Sequence, residues 1–281
     1  MKKEVAVIVG SGSIGLAIAR RVGNGRTLLL ADYSEKALKT AADLLGGEGY
    51  DVTTQVTDVS ESAAVAVLAD AAAEVGPVTQ VVYTAGVSPV QASTERVLHV
   101  DLLGTALVLD EFARVIAPGG AGLVISSMAG HMFGPYAPEI EQALAGTATA
   151  ELLSLSFLQP EQVGDSGAAY GLSKRANALR VQAQAVVWGE RGARVNCISP
   201  GIILTPLARD EMSGPGSEGY RRMIETSAAG RVGTPDEVAE TAAFLLGRQA
   251  GFITGSDLLM DGGVIAALRT GALSLRAPAD S

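Results

Sequence analysis

The sequence predicts a doubly wound α/β fold, one parallel sheet with helices on both faces. Three observations predict it. Short runs of branched apolar residues alternate with amphipathic segments along the chain. The strand-like runs are apolar almost throughout, as strands covered on both faces must be. The first run leads straight into a glycine-rich turn that opens a helix, a unit that binds ligands at the carboxyl ends of strands. Composition permits this fold. Hydrophobic residues make up 48% and charged residues 18%, enough for a large core, and 281 residues suit a single domain of this class.

The elements follow in order. "EVAVIV" (4–9) is the first strand, and "IGLAIARRV" (14–22) has helical spacing. "RTLLLAD" (26–32) is a second buried strand. "SEKALKTAADLL" (34–45) is an amphipathic helix with Ser34 as its N-cap. Further strands are "YDVTTQV" (50–56), "TQVVYTA" (79–85), "AGLVISS" (121–127), "ARVNCIS" (193–199) and "SDLLMD" (256–261). Helices fit 61–75, 93–116, 168–190 and 235–247. Two segments break the alternation: 131–166, and a stretch after Pro200-Gly201 whose "SGPGSEG" (213–219) reads as a mobile loop. Residues 268–281 form a tail, frayed or docked on a neighbouring subunit.

Several function classes are excluded. The net charge is −9 and the pI about 4.8, with no run of Lys/Arg, so a nucleic-acid or polyanionic partner is not expected. No apolar stretch is long enough to span a membrane. Cys197 is the only cysteine, so no internal disulfide can form and a reducing compartment, the cytoplasm, is expected. His99 and His131 are isolated and read as surface or packing residues; no metal site is expected.

"VIVGSGSIGLAIA" sets Gly10, Gly12 and Gly15 as G-x-G-x-x-G at the strand-to-helix turn, with Ser11, Ser13 and Ile14 between them. Glycines there allow a tight turn and close approach of a diphosphate to the helix N-terminus. Asp32 closes the second strand, where a carboxylate accepts the ribose hydroxyls and repels a 2′-phosphate. Tyr33 follows it, not an arginine, so NAD is favoured over NADP. The plainer alternative is a tight turn with Asp32 capping the next helix. Asp58, after the third strand, is placed to accept the adenine amino group with Val59 lining the ring, or else simply to cap the next helix. Ala85 and Gly86 lack bulk where a cofactor ribose would lie; the plainer alternative there is an ordinary strand-end glycine.

"AAYGLSKRANALR" (168–180) carries the chemistry. Of six tyrosines, only Tyr170 has a lysine four residues on, Lys174, so both lie on one helix face. A phenol near pKa 10 is a poor base at neutral pH, and an adjacent ammonium favours its ionised form. Such a tyrosine can take an alcohol proton or return one to a ketone. Ser126 and Ser127 end the fifth strand at the same sheet edge, where a hydroxyl can hold a substrate oxygen. A solvated Tyr–Lys contact and ordinary turn serines are the alternatives.

These pieces together resemble the short-chain dehydrogenase/reductase family. The matching segments are "GSGSIG", Asp32, "TAG" (84–86), "VISSMAG" (124–130), "YGLSK" (170–174), "RVNCISPGIILTPL" (194–207) and "GRVGTPDEVAETAAFLL…FITGSDLLMDGG" (230–263). They cover nearly the whole chain in order. The resemblance implies one Rossmann-type domain over 1–281 with a seven-stranded parallel sheet. It implies Tyr170 as acid/base, Lys174 tuning it and holding the nicotinamide ribose, and Ser127 as the serine on the substrate oxygen. It implies that Pro200, Gly201, Ile203 and Thr205 border the nicotinamide, that 202–230 is the substrate loop, that Asn196 is structural, and that the protein is a homodimer or homotetramer.

The chain departs from the family pattern in places. Its glycine loop is one residue shorter, and Thr84 stands where an asparagine usually precedes "AG". In "VDLLG" (100–104), Asp101 replaces the asparagine that anchors a proton-relay water. Asp101 is therefore read either as an altered relay member, whose carboxylate can accept from that water and pair with Lys174 but cannot donate as an amide does, or as a structural helix residue.

The segment 131–166 is an insertion, read as two short helices, "PEIEQALAG" with Pro138 early and "TATAELLSLSFLQP" ended by Pro160. Its apolar residues, Leu144, Leu152 and Leu158 among them, must bury at the substrate mouth or an interface. The layout most resembles the bacterial 3α-hydroxysteroid dehydrogenase/carbonyl reductase subgroup, which implies a hydrophobic, steroid-like alcohol or ketone. A dinucleotide-binding regulator with little turnover is the alternative, favoured by Asp101 and Thr84 and opposed by the intact Ser127/Tyr170/Lys174 set. An epimerase or dehydratase is a third reading, though the chain is short for its usual extra domain.

Overall fold

The structure is a computed structural model that describes residues 2–213 and 217–274. Seven strands form one parallel sheet: β1 (Val5–Val9), β2 (Thr27–Asp32), β3 (Asp51–Val56), β4 (Val78–Tyr83), β5 (Ile116–Ile125), β6 (Arg194–Pro200) and β7 (Asp257–Met260). Their order is β3-β2-β1-β4-β5-β6-β7, so the winding direction reverses between β1 and β4. That reversal opens a crevice at the carboxyl edge, where ligands bind in folds of this kind. The seven-stranded doubly wound sheet is the fold the sequence predicts.

Three helices lead through the first half: α1 (Ser13–Val22), α2 (Glu35–Gly47) and α3 (Ser62–Val75). Two more, α4 (Thr94–Val97) and α5 (Gly104–Val115), flank a π-helical stretch, Leu98–Leu103. The insertion holds α6 (Pro138–Gly146) and α7 (Pro160–Val163), and α8 (Ser166–Glu190) is the long helix after it. The chain then forms α9 (Pro206–Ser213), α10 (Ser217–Thr226), α11 (Pro235–Leu246) and α12 (Val264–Arg269). Ser34 caps α2 by accepting from the Ala37 N–H at 3.2 Å, as the sequence predicts.

Side chains alternate across each strand, so one strand feeds two cores. Val5, Val7 and Val9 of β1 pack with Leu68 of α3, Phe112 of α5 and Trp188 of α8. Ala6 and Ile8 face the other way, with Ile18 of α1, Leu45 of α2 and Leu245 of α11. Each fully buried large side chain contributes about 1.5–3 kcal/mol of transfer free energy. The indole N–H of Trp188 donates to the Leu109 carbonyl at 3.1 Å, which joins α8 to α5. Among the described residues, no helix is long and apolar enough to cross a membrane.

The structure corrects several element readings. The helix expected over 93–116 is interrupted at Leu98–Leu103 and stops at Val115, because Ile116 already belongs to β5. Widening to a π turn frees carbonyls, and side chains take them up. Tyr83 donates to Val100 O at 2.8 Å, and Thr105 to Asp101 O at 2.8 Å. In the insertion, "PEIEQALAG" is helical as read, but the second expected helix is 3₁₀ turns over Thr149–Ser154 and Ser156–Leu158. Pro160 opens α7 at its first turn rather than ending a helix. The stretch read as a loop over 213–219 is mostly the end of α9 and the start of α10; residues 214–216 lie outside the described part. Of the tail, α12 reaches Arg269 and Leu273 is buried against the chain's own Met128, Ile202 and Val264; residues 275–281 lie outside the described part.

Candidate active site

The glycine loop leaves β1 under tight steric limits. Gly10 has φ +102°, and a Cβ there would sit 2.6 Å from the Ala85 nitrogen. A Cβ on Gly15 would sit 2.1 Å from the Gly10 carbonyl oxygen, so strand end and helix start touch backbone to backbone. Gly12 meets the opposite condition, with nothing within 4 Å of its would-be Cβ. It is also the N-cap of α1 and supplies no side-chain acceptor to the first N–H groups of the helix. Ser13 and Ile14 form the first turn, Ile14 packed partly on the core. Thr84 donates to Gly10 O at 2.8 Å and so ties the end of β4 to this loop. A free cradle at a helix N-terminus fits the diphosphate of a dinucleotide.

Asp32 closes β2 beside the loop. Its Oδ2 accepts from the Ser11 N–H at 2.9 Å and the Ser11 hydroxyl at 2.8 Å, and its Oδ1 accepts from Ser34 N–H at 3.0 Å. A carboxylate has about four acceptor positions, so one on Oδ1 stays available to a ribose hydroxyl. The Ser11 hydroxyl was not foreseen; nothing in a glycine pattern says what the intervening side chain reaches.

Asp58 follows β3 in a turn of its own. Oδ1 accepts from both N–H and hydroxyl of Ser60, at 3.0 and 2.6 Å, and Oδ2 pairs with Arg96 at 3.4 Å. Its carboxylate closes the turn before α3, whose N-cap is Glu61 rather than Asp58, and an acceptor position on Oδ2 stays available. Val59 is buried in the core, in contact range of Gly104. Ala85 and Gly86 follow β4 at the sheet edge. Beyond β6, Pro200 is buried and Gly201 lies so close to Asp261 that a Cβ would meet its Cα at 2.7 Å. Ile203 joins the core, and Thr205 caps α9 by accepting from Ala208 N–H at 3.1 Å. Asn196 bonds Ile253 O and Ser256 N–H, a structural role.

The reacting groups come from three elements. Tyr170, half-buried, and Lys174 share one face of α8, with Nζ 5.1 Å from the Tyr170 ring centroid. Lys174 Nζ lies 2.8 Å from Asp101 Oδ1, and these side chains are 5% and 0% exposed. Asp101 Oδ2 accepts from the Val87 N–H at 3.0 Å. Burial works against the Lys174 cation, but Asp101 and the Tyr170 phenol outweigh it and hold its pKa above the ordinary lysine value. Gly86 stands over this pair. A Cβ there would lie 2.7 Å from Asp101 Oδ1 and 3.5 Å from Lys174 Nζ. Its lack of bulk thus has a local reason besides any ribose.

The two serines separate in role. Ser126 is buried and donates to Lys174 O at 2.6 Å, which pins α8 to β5. Ser127 opens a 3₁₀ turn, Met128–His131, and accepts from Ala129 N–H at 3.2 Å, leaving its own proton to donate. That turn packs on α8: a Cβ on Gly130 would be 2.7 Å from Arg175 N, and one on Gly171 would be 3.6 Å from Ala129 O. Ser127 is thereby brought to the turn of α8 that carries Tyr170. Cys197 is buried, which pushes its thiol well above the ordinary value and leaves it unreactive. Among the described residues no cluster could hold a metal ion.

The insertion is fastened to α8. Arg175 pairs with Glu141 at 2.7 Å, and the buried Arg180 donates to Leu144 O, Thr147 O and Thr149 Oγ1. Leu144, Leu152 and Leu158 bury on Ala169, Leu172 and Leu179 of the same helix. Phe133 stays 73% exposed.

Comparison with known proteins bears on family and fold. The family described as short chain dehydrogenase matches residues 3–138, and that described as Enoyl-(Acyl carrier protein) reductase matches 136–265. The chain is 42% identical to the short-chain dehydrogenase/reductase bsc3 of Alternaria brassicicola, over 95% of this chain and 98% of that protein. It is 32% identical to the 3-alpha-hydroxysteroid dehydrogenase/carbonyl reductase of Comamonas testosteroni, over 67% of this chain and 73% of that one. Among solved structures, a short-chain dehydrogenase/reductase from Serratia marcescens superimposes with a TM-score of 0.73 at 25% identity, covering 93% of this chain and 98% of that one.

Proposed function

The chain belongs to the short-chain dehydrogenase/reductase family, and on that footing we propose that it moves hydride between NAD(H) and a hydrophobic secondary alcohol or its ketone. The observation that carries the reading is the Tyr170–Lys174–Asp101 arrangement beside the uncapped N-terminus of α1. Gly10, Gly12 and Gly15 would hold the dinucleotide's diphosphate and Asp32 its adenosine ribose, and Lys174 is the candidate for the nicotinamide ribose. The bound nicotinamide supplies the hydride acceptor in oxidation and the donor in reduction. Ser127 donates a hydrogen bond to the substrate oxygen. Tyr170 takes the hydroxyl proton in the oxidising direction and returns it in the reducing one. Lys174 stays a cation below the phenol, so the proton that moves is the one on Tyr170.

NAD is favoured over NADP because Asp32 would repel a 2′-phosphate and Tyr33 offers it no cation. A hydrophobic, steroid-like substrate is supported by the exposed Phe133, whose ring lies 3.6 Å from the would-be Cβ of Gly171, the residue after Tyr170. Exposed Val186, Phe252 and Leu258 support a homodimer or homotetramer. The test is calorimetric titration with NADH and NADPH, then an absorbance screen of alicyclic and aryl ketones with each. The reading expects NADH to bind and to be oxidised about tenfold faster than NADPH with at least one hydrophobic ketone. Tight NADH binding with no turnover across the panel would overturn it.

A further inference from the structure

The reaction as read uses Ser127 but not what holds Ser127 in place. The 3₁₀ turn Met128–His131 begins at that serine, and its far end carries a half-buried histidine–carboxylate contact. His131 Nε2 lies 2.9 Å from Asp257 Oδ2, with the two side chains 16% and 10% exposed. Asp257 sits at the start of β7, next to Cys197 of β6 in register. Its other oxygen accepts from the Ser199 hydroxyl at 2.7 Å. Burial alone would push the Asp257 carboxyl up; His131 and Ser199 hold it below the ordinary value, as a fixed anion would be.

The turn is therefore pinned on two sides. Gly130 lies against the backbone of Lys174 and Arg175, with no room for a Cβ. His131 fastens the same turn to the β6–β7 edge of the sheet. Between Ser127 and these anchors run only Met128 and Ala129, and Ala129 N–H fixes the Ser127 hydroxyl oxygen. A half-buried contact four residues along the same turn from a reacting hydroxyl, and outside the reaction itself, has a mechanical consequence. If the far end of the turn moves, the Ala129 N–H moves, and the Ser127 hydroxyl loses its direction toward the substrate oxygen.

We propose that His131 and Asp257 are a positioning pair that sets the Ser127 hydroxyl for the reaction. Neither residue touches the reacting atoms, and the inference rests on the reading of Ser127 and Tyr170 given above. Small displacements of a group that must hydrogen-bond the reacting oxygen cost rate steeply, so loss of the pair should lower kcat about tenfold. Dinucleotide affinity should not change, because the pair does not reach the glycine loop.

The test is a double-mutant cycle on kcat with the full chain, using a ketone that the wild type reduces. His131→Ala should lower kcat about tenfold with NADH affinity unchanged. His131→Gln, which keeps a donor, should recover most of that loss. In a Ser127→Ala background, His131→Ala should cost less than about twofold more, since the pair then has nothing left to position. If the alanine variant does not accumulate folded, His131→Leu fills the volume without the donor and enters the same cycle. Full additivity with Ser127→Ala, or an unchanged kcat in His131→Ala or His131→Leu, would overturn the proposal. The cofactor and acid/base reading fails separately, if the wild type itself shows no turnover or Tyr170→Phe retains it.

Discussion

Lys174 and Asp101 form an enclosed ion pair, Nζ to Oδ1 2.8 Å, directly beneath the Tyr170 ring. A cation in such a place is stable only while its counter-charge is there. Asp101→Ala should therefore destabilise the protein by about 3–5 kcal/mol, the range for removing one partner of a buried pair. Asp101→Asn keeps the acceptor for Val87 N–H and should cost less. Denaturant unfolding of the two variants checks the order.

The same pair sets an alkaline limit. The folded-state pKa of Lys174 is raised, so the stabilisation from pairing is complete below the unfolded lysine pKa and is lost as pH rises through the folded value. In Asp101→Asn the main group opposing burial loses its charge, and the lysine pKa falls. The alkaline limb of the kcat profile should move to lower pH in that variant. An unshifted limb would mean that Lys174 does not need its charge.

Gly86 should tolerate no side chain. In Gly86→Ala the new Cβ would lie 2.7 Å from Asp101 Oδ1. Overpacking of this sort costs about 1–3 kcal/mol, and here it would also displace the pair. Thermal unfolding and kcat should fall together.

The adjacent serines should part company. Ser127→Ala should leave the melting temperature nearly unchanged and lower kcat about 10²-fold, the scale for losing one donor to a reacting oxygen. Ser126→Ala removes the bond to Lys174 O and should cost about 1 kcal/mol of stability. Equal rate losses in both would contradict the assignment.

Ser11 should matter for cofactor choice. It fixes Asp32 Oδ2 with both its N–H and its hydroxyl. Asp32→Ala should relax the preference for NADH over NADPH by about tenfold or more, since the repelling charge is gone. Ser11→Ala, which frees the carboxylate to turn, should relax it less. The ratio of kcat/KM values for the two dinucleotides measures both.

Much of this was legible in the sequence because it rests on local chemistry. Apolar runs gave the seven strands, Ser34 announced its own helix, and the spacing of Tyr170 and Lys174 put both on one helix face. What escaped depends on contacts between distant segments. Asp58 is claimed by Arg96, 38 residues on, and no local pattern announces that pair. The π turn at Leu98–Leu103 needs Tyr83 from another element to take a freed carbonyl. The turns of Thr149–Ser154 depend on the buried Arg180 of α8. The departure at Asp101 was visible as a letter, and so was its capacity to pair with Lys174, but the enclosure of that pair required the fold.

The central claim concerns a proton carried by Tyr170, and Tyr170→Phe tests it most directly. The variant keeps the ring under which Lys174 sits and removes only the hydroxyl. Steady-state reduction of a ketone accepted by the wild type should fall about 10²–10⁴-fold, with NADH affinity by calorimetry unchanged. Turnover within a few-fold of wild type would contradict the account.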